Sequence, residues 1–210
     1  MEVQMYEPFQ NFLSNGAGLA VCNPTCSLVP ATFGPFADVA NGNTQDTVLF
    51  GDSGIASGAK DFNVDLNLDS FATGGAACYL SEAGFNDCVS WGTFSNNSAL
   101  TTNFGSSADP GTPAAALTSG MALRRSIAPG CPTMLEASDD TNNSAADFSL
   151  TTRDPRTNAV APTETPCAGG GGPTGYPPAT TYPTAKKKCK KHKKSSAYSA
   201  KKKKCKKKRK

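Results

Sequence analysis

Charge divides this 210-residue chain into two electrostatically distinct parts. All 17 acidic residues lie between Glu2 and Glu164, where the only basic ones are Lys60, Arg124, Arg125, Arg153 and Arg156, a net of −12. The last 25 residues hold the other 16 cations and no acid. They form an imperfect duplicate: Lys186, Lys187, Lys188, Lys190, Lys191, Lys193 and Lys194, then Lys201, Lys202, Lys203, Lys204, Lys206, Lys207, Lys208, Arg209 and Lys210. Like charge at that density opposes collapse, so a disordered tail is expected. Residues 161–185, rich in Gly, Pro and Thr, read as a linker. Any packed core must come from residues 1–160, a length suited to one domain.

Within that body, short apolar clusters alternate with Gly, Asn, Asp, Ser and Pro, the punctuation of an all-β domain. Val3 and Met5 face one way and Gln4 and Tyr6 the other. Gly18–Cys22 reads as a strand stopped by Asn23-Pro24, Phe33–Phe36 as a short edge segment, and Thr47–Phe50 as a buried run closed by the turn Gly51-Asp-Ser-Gly54. Phe62, Val64, Leu66 and Leu68 alternate with Asn63, Asp65, Asn67 and Asp69, the cleanest period of two in the chain. Ala76–Leu80 and Cys88–Trp91 form a hairpin that sets Cys78 opposite Cys88. Trp91, the single tryptophan, reads as a core anchor, with a ligand-stacking platform as the alternative. Residues 94–119 are small and polar, with Asp109-Pro-Gly-Thr-Pro113 as a loop, and no long helix stands out in the body. Met121–Arg125 is a further strand.

Eight cysteines are present, six of them in or just beyond the body: Cys22, Cys26, Cys78, Cys88, Cys131 and Cys167, with Cys189 and Cys205 in the tail. This usage points to disulfides in an oxidising compartment. A mixture of free and paired thiols and a metal site are the competing readings. A secreted chain begins with a basic, apolar leader, whereas this one opens Met1-Glu-Val-Gln-Met-Tyr6. The expectation is that a signal peptide and earlier strands precede it in a longer product. No apolar run approaches the roughly 18 residues of a membrane span.

Catalytic chemistry finds little to work with. The one histidine, His192, lies among the tail lysines, which removes histidine-based nucleophilic catalysis from the body. Ser53 in Gly51–Gly54 superficially resembles a nucleophile turn and is read as a β-turn. Gly169–Gly172 lacks the strand before it and the Gly-Lys-Ser/Thr after it that a phosphate loop requires. Asp65, Asp69, Asp139, Asp140 and Asp147 leave open a hydrolase that uses paired carboxylates about 5 to 9.5 Å apart. Asp139, Asp140, Asn142 and Asp147 are weak calcium candidates in a segment that reads first as a turn. No other cofactor is expected. The tail favours anionic envelope polymers or lipid surfaces. A non-specific nucleic-acid binder is the third class, since Tyr198 alone offers little base stacking and no sequence-specific reading.

Several segments together resemble a known family. Asp87-Cys-Val-Ser-Trp-Gly92, Ser119–Ser126 with its Gly-x-x-Leu-x-Arg strand, Asp139–Phe148 with its Asn-Asn…Asp-Phe turn, Asp154-Pro-Arg-Thr-Asn158 and Thr47–Asp52 resemble the lamin-tail-like domains of bacterial, notably actinobacterial, secreted proteins. The Lys/Cys-rich end resembles tails on extracellular proteins of the same bacteria. The resemblance implies an immunoglobulin-like β-sandwich, N-terminally incomplete here, serving as an accessory or adhesive module. The cysteines and the lack of a rod-forming coiled coil separate the chain from nuclear lamins.

Overall fold

The computed structural model describes residues 1–26, 31–81, 84, 86–127 and 130–167. Its regular structure is mostly strand, in small sheets. β1 (Glu2–Gln4) runs antiparallel and β5 (Phe62–Asn63) parallel to the central β4 (Thr47–Gly51). A second, antiparallel sheet joins β2 (Gly18–Cys22), β3 (Ala31–Phe33), β6 (Gly74–Leu80) and β7 (Asp87–Gly92) in the order β3-β2-β6-β7. β8 (Met121–Arg125) and β9 (Phe148–Thr152) make an antiparallel ribbon.

Every residue of β2 is buried because its sheet is covered on both faces. On one side Leu19 and Val21 pack with Val48, Phe50, Ala77 and Trp91. On the other, Ala20 and Cys22 meet Ala76, Cys78, Cys88, Phe94, Leu100 and Ala108. The second face is built from small side chains, which lets a helix lie close against it.

That helix, α1 (Asn97–Phe104), lies in the stretch that the sequence marked only as small and polar. Asn96 caps it, its side-chain oxygen accepting from Ala99 N at 3.3 Å, which satisfies an otherwise unpaired helical N–H. Leu100 is 1% exposed and Phe104, four residues on, packs beside it. The hydrophobic stripe is two or three residues wide, too thin to stand out among Asn, Ser and Thr. The segment that follows also has a structural task. Ala114 exchanges backbone hydrogen bonds with Ser90 and Gly92 along the outer edge of β7.

The alternating run from Phe62 to Leu68 pairs over only two residues. Val64 N still donates to Gly51 O at 2.7 Å, then Asn67 turns left-handed at φ 50° into a single 3₁₀ turn, Leu68–Phe71. Burial alternates as expected, with Val64 and Leu66 inside and Asn63, Asp65 and Asn67 outside. Extended backbone alone produces that alternation; a ladder also needs a partner strand.

Trp91 is 2% exposed and donates its indole N–H to Phe71 O at 2.7 Å, so it anchors the core and offers no ligand platform. Gly92 follows at φ +59°, and a Cβ there would stand 2.0 Å from Thr73 O. Only glycine lets the chain turn so close behind the tryptophan.

Candidate functional site

Two buried polar nodes organise the body. The first surrounds Arg125, the last residue of β8, whose side chain is 14% exposed. Its guanidinium pairs with Asp87 at 2.6 Å, Asp140 at 3.1 Å and Asp147 at 3.5 Å, and donates to Asp139 O at 3.3 Å. It also lies 4.6 Å from the Phe148 ring centroid, a cation–π contact. Asp147, at the end of the short helix α2 (Ser144–Asp147), accepts from Thr141 N, Thr141 Oγ1 and Asn143 N at 2.9, 2.6 and 3.2 Å. Lost hydration raises the Asp87 pKa most; the Arg125 charge opposes this, and the charges of Asp140 and Asp147 add to it. Half of the Asp87 side chain stays open to solvent, so the enclosed side of the group sets that direction.

The second node fastens residues 156–167 to the opening strand. Arg156 forks onto Glu164 at 2.7 and 2.9 Å, lies 3.5 Å from Glu2, and its backbone N–H donates to Glu2 at 2.8 Å. Gln4 donates to Glu164 at 2.9 Å. Burial works to raise the Glu164 pKa but is outweighed by hydrogen bonds from its own backbone, Arg156 and Gln4, so its carboxyl sits below the usual range. Asn158, 4% exposed, exchanges hydrogen bonds with Asn41 and donates to Thr47 O at 3.0 Å. Thr133 and Thr165 exchange a further pair. Residues 161–167, the first of the segment read as linker, are thus held against the body.

The cysteines pair as Cys22–Cys26, Cys78–Cys88 and Cys131–Cys167. The hairpin pair forms because Cys78 and Cys88 are register partners in adjacent strands. Three disulfides indicate an oxidising environment. Cys189, Cys205 and every tail cation from Lys186 to Lys210 lie outside the described residues.

The carboxylates considered for hydrolysis or calcium are engaged locally. Asp65 and Asp69 are exposed, and Asp65 accepts from Asn67 N at 3.1 Å. Asp140 accepts from Asn142 N at 3.0 Å in an Asx turn, and Asp139 from Glu136 N at 2.7 Å. Among the described residues no group of three or more His, Cys, Asp or Glu has the arrangement of a metal site, and no helix is long and apolar enough to cross a membrane. Asp52 and Gly54 close the Ser53 turn by a 2.7 Å hydrogen bond.

Sequence reasoning missed the exposure of three aromatics. Tyr6, Phe9 and Phe12 are 40%, 52% and 52% exposed. Three aromatics in seven residues were the available signal, obscured because Tyr6 also fits the alternation of a strand. No protein-family model, curated protein or solved structure matches the chain.

Proposed function

We propose that this chain is a non-enzymatic, extracytoplasmic attachment module: an immunoglobulin-like β-sandwich of the lamin-tail-like kind, joined to a polycationic tail that binds an anionic envelope surface. One observation carries the attachment reading: 16 of the 21 basic residues are gathered in the last 25, apart from all 17 acids. A segment of that charge concentrates at any surface of negative potential, each cation contributing on the order of 1 kcal/mol close to an anionic lipid leaflet. The acidic body, with a net charge of −12, is repelled by the same surface. Support for the domain type comes from residues behind the resemblance. Asp87, Arg125 and the adjacent Asp147 and Phe148 come from three separate motifs and meet in one node, while Arg156 and Asn158 of the closing motif contribute to the other. Three disulfides fit a location outside the reducing cytoplasm.

The test compares the full chain with one truncated after Ala185 on phosphatidylglycerol vesicles and on an anionic wall-polymer preparation. At low salt the full chain is retained and the truncated chain is not. Retention falls steeply as salt rises toward about 1 M, where the Debye length is about 3 Å. Retention unchanged by truncation overturns the proposal.

A further inference from the structure

Residues 156–167 follow β9 as a strap that ends at the Cys131–Cys167 bond. Its contacts along the way are polar. Thr47 Oγ1 donates to Arg156 O at 3.1 Å, and Asn158 N donates to Asp61 at 2.8 Å. Further along, Glu164 accepts from Gln4 at 2.9 Å, and Thr165 N donates to Thr133 O at 3.1 Å. No strap residue belongs to either apolar cluster of the core. Asn158 is its one buried residue, and its largest apolar side chain, Val160, is 46% exposed. Segments with few buried apolar contacts open locally at low cost. Hydrogen bonds spaced along such a segment are loaded one after another when its end is pulled, so by themselves they would peel.

The disulfide stands where a pull from the C-terminal side enters. Cys167 closes the strap and is bonded to Cys131, 36 residues earlier. The other two bonds join positions that are already neighbours: Cys78 and Cys88 are register partners in a hairpin, and Cys22 and Cys26 flank one turn. Tension applied beyond Cys167 takes the shorter covalent route. It passes through the sulfurs to Cys131 and along residues 126–130 to Arg125, the cation held by Asp87, Asp140 and Asp147. Residues 132–166, with α2, β9 and the strap, lie outside that path. At about 3.6 Å per extended residue, the bond withholds roughly 125 Å of chain from the pull.

We infer that Cys131–Cys167 is a tension clip: it carries the pull of the attached tail past the strap, so the contacts to Glu2, Gln4, Asn41 and Thr47 are never loaded from their free end. The inference rests on the attachment reading only for the origin of the pull. A single-molecule experiment supplies that pull through handles on Met1 and Lys210, so its result does not depend on whether the tail binds a surface. Relative to the unaltered chain under non-reducing conditions, Cys131→Ser/Cys167→Ser is expected to add an event at lower force. That event releases at least the roughly 40 Å of residues 156–167, and the final extension grows by about 125 Å. A phosphine added to the folded, unaltered chain under steady tension gives the same reading without refolding. Reduction of the bond to two thiols, with oxidation of the phosphine, produces a step of at least about 40 Å, while the hairpin pair, still bridged by its strands, produces none. Equal final extension with and without the bond overturns the inference. So does a substituted chain that opens at the unaltered force with no added event, or the absence of a step on reduction when a later full pull shows the bond cut.

Discussion

Asn158 uses its side chain on three partners at once, accepting from Asn41 N at 2.8 Å and donating to Asn41 O and Thr47 O. Asn158→Ala leaves those groups unpaired in a site 4% exposed, and we expect a loss of about 3 kcal/mol, read as a lower midpoint in urea at unchanged slope. Trp91→Phe keeps most of the packing and loses the bond to Phe71 O. A cost of roughly 1–2 kcal/mol is expected, and in the unaltered chain the only tryptophan reports unfolding as a red shift in emission. Glu164 gives a pH signature. Its carboxyl is depressed in the folded chain, so its stabilisation is complete above the usual carboxylate range and disappears as pH falls through the depressed value. Amide protection at Thr165 should therefore drop below about pH 4, and Glu164→Gln should remove most of that pH dependence. Asp87, whose pKa is raised, acts with the opposite sign: its contribution is present at low pH and lost as pH rises through the raised value. The burial of Trp91 was legible because size and apolarity suffice to predict it. The task of Asn158 was not, since an amide between Thr and Ala reads as turn chemistry until its distant partners are known.

At the scale of elements, the three disulfides close loops of different length, with sequence separations of 4, 10 and 36. Chain entropy alone then ranks their contributions at about 1.9, 2.7 and 3.8 kcal/mol. Pairwise Cys→Ala removal followed by denaturant unfolding should follow that order, with Cys131–Cys167 the costliest unless packing losses at the fully buried hairpin pair exceed the entropic difference. Leu100→Ala tests α1 as part of the core, with an expected cost of about 2–4 kcal/mol; a loop residue would cost almost nothing. β2 and β4 could be read from the sequence, because each is a compact apolar run with a clear stop. Only a short stretch of the Phe62–Leu68 run became strand, since alternation records which way side chains point and says nothing about whether a neighbour is there to pair. α1 and β9 were hidden for a related reason: both take their definition from the surface they cover rather than from their own composition.

For the whole molecule, the division of the chain by charge and the β-rich character of the body were evident from composition and patterning. The two polar nodes were not, because they join residues that lie far apart in sequence. Glu2 meets Arg156 and Gln4 meets Glu164 across separations of 154 and 160 residues. Contacts of such long range slow folding, as loop closure comes before any return from the contact. During synthesis β1 can pair early with β4, and Gln4 early with Gln45, but the carboxylate of Glu2 and the second contact of Gln4 wait for Arg156 and Glu164. A nascent chain stalled before Arg156 would lack both anchors of the strap and the partner of Cys131.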